Sequence, residues 1–172
     1  MIRRGAAALA AAAVVAALPT SAQAKTFNAR FSDPEGDAKP AARDITAGRV
    51  AYNRKSGALS ATVQVAADYA ESREDAIVVV IVSDLVRGRC RAVRMTLGVA
   101  LSDPAVPMAW KGETQTGKRY LGSGSIEGDT LKLRVKSKAL SGQTPGCTMI
   151  YLATAEDEPT IIDQTAIDNG FA

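Results

Sequence analysis

"LSATVQV", residues Leu59 to Val65, carries the pattern that decides the fold class. Leu59, Ala61, Val63 and Val65 share one phase, while Ser60, Thr62 and Gln64 occupy the other. Successive side chains of a strand point to opposite faces, so this alternation builds a strand with one buried and one wet face. Leu131-Lys132-Leu133-Arg134-Val135-Lys136 repeats the pattern with three cations outward. Val93, Met95, Leu97 and Val99 form a third set, with Arg94 and Thr96 opposite. Ile77 to Val82, IVVVIV, has no polar phase and fits a central strand buried on both faces; Met149 to Ala153, MIYLA, is similar.

Weaker strand signals cover Thr26 to Phe31, Ile45 to Tyr52, Tyr120 to Ile126 and Thr160 to Ala166. Asn53-Arg54-Lys55-Ser56-Gly57 and Ile126-Glu127-Gly128-Asp129-Thr130 read as hairpin turns. Ser102 to Lys118, with Pro104, Pro107, Gly112 and Gly117, reads as a long connection with a short strand near Trp110. Ala66 to Asp75 and Lys138 to Gly142 each have room for one helical turn, and no long amphipathic helix remains. Short strands at regular turn-separated intervals predict an all-β domain, a single antiparallel β-sandwich of about eight or nine strands.

The chain begins with Arg3-Arg4, an apolar run from Gly5 to Leu18, Pro19, and the small-x-small series Ala22-Gln23-Ala24. That order is a secretory signal peptide, residues 1–24, with cleavage expected after Ala24 and residues 25–172 forming the sandwich domain. The run is shorter than the roughly 20 apolar residues of a membrane anchor, and no cysteine follows it for lipidation. A secreted, extracellular protein without a membrane anchor is expected. Loss of the leader removes two of 21 basic residues and none of 18 acidic ones, so the mature chain is near neutrality. Basic and acidic residues are interspersed, and the Arg87-Gly88-Arg89-Cys90-Arg91-Ala92-Val93-Arg94 cluster reads as a solvated turn and strand face. A nucleic-acid partner is not expected.

The sequence contains no histidine. Ser–His and Cys–His nucleophile systems, and zinc sites built on histidine, are excluded with it. No P-loop, G-x-G-x-x-G or G-x-S-x-G motif is present. Cys90 and Cys147 are an even pair in an exported chain and are expected to form a disulfide, which removes thiol catalysis as well. Carboxylate chemistry of the glycosidase kind is what remains open, with no two acids placed across a cleft by the sequence. A non-enzymatic protein is expected.

Several stretches fall in one order. Asp33-Pro34-Glu35-Gly36-Asp37 precedes an Asp44-Ile45 strand start, then a G-x-L-x-x-x-V-x-V strand at Gly57 to Val65, then an apolar strand ending at Ser83-Asp84. Trp110-Lys111-Gly112, Gly128-Asp129-Thr130-Leu131-Lys132-Leu133-Arg134-Val135, Ala139-Leu140 and Asp168-Asn169-Gly170 follow. In this series the chain resembles secreted bacterial domains related to DOMON and to family 9 carbohydrate-binding modules. The resemblance implies a jelly-roll-like β-sandwich that binds a sugar, haem or calcium, or has no known ligand. Haem binding in that family uses Met and His, and histidine is absent here. Sugar binding uses aromatic platforms; the candidates here are Trp110 and Tyr120, set against the reading of Trp110 as a core or rim residue.

Phe31 to Ile45, FSDPEGDAKPAARDI, places Asp33, Glu35, Asp37 and Asp44 around Gly36. Calcium takes six to eight oxygens, at about 2.3–2.6 Å. The spacing of the four acids imitates an EF-hand, but the glycine is misplaced and strands flank the loop, so an EF-hand is rejected. Two readings stand. One is a calcium site using Asp33, Asp37 and Asp44; the other is a D-P-x-G turn, with Pro34 fixing φ and Gly36 taking positive φ. Asp157, Asp163 and Asp168 form a second acidic group, and chain ends that meet in a sandwich would bring Asp168 toward the Asp33 loop. The sequence thus predicts a secreted binding or structural module with an extracellular ligand, polysaccharide among the candidates. The alternatives are a carbohydrate-binding module, a calcium-stabilised module and, least of all, a carboxylate-based hydrolase. Amino-terminal sequencing of exported protein is expected to read from Lys25; material beginning at Met1 would contradict the leader assignment.

Overall fold

The structure is a computed structural model that describes residues 25–69, 76–101, 105–112, 117–154 and 160–165. The expected leader, residues 1–24, lies outside them. Eleven strands are present among the described residues: β1 (Thr26–Ser32), β2 (Ile45–Asn53), β3 (Ala58–Val65), β4 (Ala76–Val86), β5 (Arg89–Ala100), β6 (Met108–Lys111), β7 (Tyr120–Leu121), β8 (Ser123–Glu127), β9 (Thr130–Lys136), β10 (Cys147–Thr154) and β11 (Ile161–Gln164). They form two sheets, ordered β1-β2-β3-β9-β8 and β11-β10-β4-β5-β6-β7, and every pairing is antiparallel. The all-β sandwich is as predicted.

The alternation read from the sequence is the alternation of burial. Leu59, Ala61, Val63 and Val65 of β3, with Leu131, Leu133 and Val135 of β9, turn inward. They meet Val78, Val80 and Val82 of β4, Met95, Leu97 and Val99 of β5, and Ile150 and Leu152 of β10. Each fully buried aliphatic side chain of this kind contributes about 1.5–3 kcal/mol relative to exposure. The polar phase of β3 and β9 faces solvent. IVVVIV is the centre of β4, between β10 and β5; its inner face is fully buried, while Ile77 and Ile81 are half-buried on the outer face.

The strand count exceeds the expected eight or nine partly because Tyr120 to Ile126 is two strands, not one. β7 pairs with β6 in the six-stranded sheet, and β8 pairs with β9 in the five-stranded sheet. The chain changes sheets at Gly122, whose N–H donates to the Pro107 carbonyl at 2.9 Å. A Cβ there would stand 2.1 Å from the Arg134 carbonyl oxygen, so only glycine passes this crossing. The Lys138–Leu140 segment forms the expected single turn, as a 3-10 helix, and Tyr52 reaches its end to donate to the Leu140 carbonyl at 2.7 Å.

Cys90 and Cys147 form the disulfide, with Cα atoms 5.9 Å apart. They belong to β5 and β10, which flank β4. Alternate strands of a regular sheet lie about 9.5 Å apart, so the bridge requires a break in the regular ladder. The break is in β5: Val82 pairs with Met95 but Ser83 with Val93 and Leu85 with Cys90, so β5 carries an extra residue at Arg94 and another between Val93 and Cys90, opposite Asp84. Arg94 Nε donates to this Asp84 carboxylate at 2.8 Å, and the rest of the arginine-rich turn, Arg87, Arg89 and Arg91, is exposed.

The bridge closes a loop of 57 residues in sequence separation. In the chain-entropy account that loop contributes roughly 4 kcal/mol. Reduction under otherwise native conditions is expected to lower the melting temperature by on the order of 10 °C, given about 2–4 °C per kcal/mol at this size. A melting curve indifferent to reductant would show that the bulge, not the bond, holds β5 to β10.

Candidate metal centre

The chain leaves β1 at Ser32 and enters β2 at Ile45, and the twelve residues between them carry Asp33, Asp37 and Asp44. The turn reading of this stretch describes its backbone well. Gly36 has φ +95°, and its N–H donates to Asp44 Oδ2 at 2.5 Å, folding the loop back on its own end. A 3-10 turn at Ala41–Arg43 then delivers Asp44, only 1% exposed, to the sheet. A register shift between Ile45 and Ala47 marks a bulge directly after it.

The fourth acid comes from the other sheet. β1 and β11 are edge strands on the same side of the sandwich, so the two ends of the domain lie together. Asp163 of β11 is 8% exposed, and its Oδ2 accepts the Ile45 N–H at 2.6 Å. Its Oδ1 accepts the Gln164 N–H at 2.7 Å. Carboxylate oxygens of Asp37, Asp44 and Asp163 lie within 4.8 Å of one another. Asp33 flanks this triad: it is half-buried, and the charges of Asp163, Asp37 and Asp44 all bear on it.

The cluster carries unmet demand. Asp44 Oδ1 and Asp33 Oδ2 are buried and receive no donor. A buried carboxylate oxygen without a donor or cation is costly, so each such group calls for a partner. Desolvation, and then repulsion from Asp163, Asp37 and Asp44, raise the Asp33 carboxyl above the usual carboxylate range. Asp37, at the exposed rim of the cluster, is raised as well, first by desolvation, then by its hydrogen bond with Asp44 and the charges of Asp163 and Asp44. The neighbours that raise these two groups are all acids. An open groove of about 690 Å³, lined by Glu35, Gly36, Lys39, Pro40, Ala66 and Asp44, runs beside the cluster.

No protein-family model, curated protein or solved structure matches this chain. The site is therefore read from its own geometry. Its donors are all oxygens, which suit a hard cation such as calcium rather than zinc or copper. Glu35, second of the acids in the loop, is exposed and stands outside the triad.

Asp163 is the member that the sequence reading did not single out; Asp168, which it favoured, and Asp157 lie outside the described residues. The available signal was an acid two residues before Thr165 in a weak strand, sharing its phase. Both Asp163 and Thr165 are buried. The proposed sugar platform does not form. Tyr120 pairs with Ala109, a core residue, so Trp110, the next residue along β6, points to the opposite face. Trp110 is 4% exposed with its ring over Gly98, and Tyr120 packs against the core.

The raised Asp33 and Asp37 carboxyls fix a direction for pH dependence. In the metal-free protein the folded state binds more protons than the unfolded state just above the usual carboxylate range. Their contribution to stability is thus fullest at low pH and is lost as pH rises through the folded values. Chelator-treated protein is expected to melt at a higher temperature at about pH 5 than at about pH 7, and Asp37→Asn is expected to flatten that difference. Asp84 and Glu127, held low by Arg94 and Lys132, act in the opposite sense only below this window. An unchanged pH profile in the variant would remove the like-charge account.

Proposed function

We propose that this chain is an exported, non-enzymatic β-sandwich module stabilised by calcium, with Asp37, Asp44 and Asp163 as the carboxylate ligands and Asp33 beside them. The single observation that carries the reading is Asp44: a carboxylate 1% exposed, one oxygen without a donor, facing two further carboxylates. Three or four carboxylates, completed by backbone carbonyls and water, supply the oxygen count calcium needs. A magnesium ion keeps most of its water and asks for fewer protein carboxylates. The cation would join the β1–β2 loop of one sheet to β11 of the other, and so fasten the open side of the sandwich.

Tight clustering at a sheet edge favours a cation over hydrolysis, which needs two acids facing each other with a substrate between them. The disulfide agrees with an oxidising compartment, and no helix among the described residues is long and apolar enough to cross a membrane. The resemblance to DOMON-like and family 9 carbohydrate-binding domains belongs to this same reading, as a class of secreted sandwiches among which calcium binding occurs.

Calcium at a hundredfold excess over its Kd is expected to add about 2.7 kcal/mol. For a chain of this size that corresponds to a rise of about 5–10 °C in melting temperature. Asp44→Asn and Asp163→Asn should each abolish the rise. Asp37→Asn should abolish it while raising the melting temperature of the chelated protein, because it removes a repelling charge. Isothermal titration and melting curves with calcium and with chelator measure both; a wild-type curve unmoved by millimolar calcium would overturn the proposal.

A further inference from the structure

We propose that the outer face of the five-stranded sheet is a binding trough for an acidic polysaccharide chain, one whose sugar units carry carboxylates. The strand register lays this face out in rows. Arg30, Arg49, Thr62, Lys132 and Ser125 are consecutive neighbours across β1, β2, β3, β9 and β8. Asn28, Ala51, Ser60, Arg134 and Ser123 form the next row, and Thr26, Asn53, Ala58 and Lys136 the third.

The middle of every row is small, and the long side chains stand at its sides. Ala51, Ala58, Ser60 and Thr62 form the floor of a trough of about 760 Å³, open to solvent, with Lys132 and Arg134 on one wall. Arg49 stands over the same floor from the other side. Two strand spacings separate Arg49 from Lys132, about 10 Å, the width of a single polysaccharide chain.

The charge of this face is one-sided. Arg30, Arg49, Lys132, Arg134 and Lys136 point outward and are exposed, and among the described residues Glu127 is the one acid on these strands' outer phase. Glu127 is taken by Lys132 at 2.7 Å, at the far edge. Arg30 lies directly opposite Arg49, a like-charge cross-strand pair that is unfavourable unless an anion lies between or above it. Five cations against one acid on a single face exceed the balance of the chain as a whole.

The kind of polyanion follows from the other side chains. Ser60, Thr62, Ser123 and Ser125 line the trough with hydroxyls, which match sugar hydroxyls. No aromatic side chain points out of this face among the described residues, so bases have nothing to stack on and neutral sugars have no platform. A lipid bilayer is flat, and this surface is a trough without exposed large apolar side chains to insert. A hydroxyl-rich chain bearing carboxylates uses the floor and both walls together.

The test uses the purified protein with hyaluronate as a soluble uronate polymer, dextran as neutral control, single-stranded DNA, and vesicles of phosphatidylcholine and phosphatidylserine. Titration calorimetry at low salt is expected to show binding to hyaluronate, none to dextran, and loss of affinity as salt rises and screens the cations. Arg49→Ala with Arg134→Ala, both at exposed positions, should weaken binding by at least tenfold with the melting temperature unchanged. Ser60→Tyr keeps every cation and fills the floor, so it should weaken binding comparably. The proposal is overturned by no binding to hyaluronate at low salt, or by Ser60→Tyr binding like wild type, which would mark non-specific attraction to charge. Tighter binding to DNA or to the anionic vesicles than to hyaluronate would likewise overturn it.

Discussion

The hydrogen bond from the Ile45 N–H to the Asp163 carboxylate is the point at which the two sheets are tied at their open side. Ile45 begins β2, and Asp163 lies on β11, at the edge of the opposite sheet. The pair is separated by 118 residues and is buried. A carboxylate is brought inside here to accept backbone donors at both of its oxygens, one from Ile45 and one from Gln164. Hydrogen bonds to a charged acceptor are among the stronger ones. Having brought one acid in, the fold must also hold Asp44, the residue just before Ile45, in the same space. The unmet oxygens and the raised acids of the cluster are consequences of that one junction.

The disulfide is the second tie, within the six-stranded sheet. It joins the strands on either side of β4 at the opposite end of that strand from Ala76, where two register shifts put extra residues into β5. The covalent bond restrains the middle of one sheet, while the acidic junction joins the margins of both. The hydrophobic layer between the sheets supplies the bulk of the stability, and these two ties restrain the places that layer does not reach.

Charge is distributed along the same five-stranded sheet in two opposite ways. Its edge loop concentrates acids around the buried Asp44, and its outer face carries cations where solvent is free. A net charge of only +3 in the sequence hides both features, because net charge sums over positions that the fold separates. A small cation of high charge suits the first environment, with its converging oxygens. An extended anion suits the second, whose cations are spread over several strands.

Period-two alternation in β3, β5 and β9, and the unbroken apolar run in β4, made the sandwich legible from residues alone, because one-sided burial writes itself directly into strand sequence. The disulfide was legible from the two cysteines: with only two partners there is one pairing. The loop acids Asp33, Asp37 and Asp44 were legible because they are close in the chain, and the turn residues Pro34 and Gly36 were legible with them. The sequence did not resolve the break of Tyr120–Ile126 into two strands at Gly122, since crossing between sheets depends on how near the Arg134 carbonyl comes. Nor did it show that Trp110 and Tyr120 face opposite ways, which follows from the register of β6 against β7. Asp163 joined the acidic site only through the stacking of edge strands from two sheets. Local periodicity and composition therefore determined the fold class and the chemistry on offer. Which distant residues share a site was decided by sheet order and register, because these set contacts between residues a hundred or more positions apart.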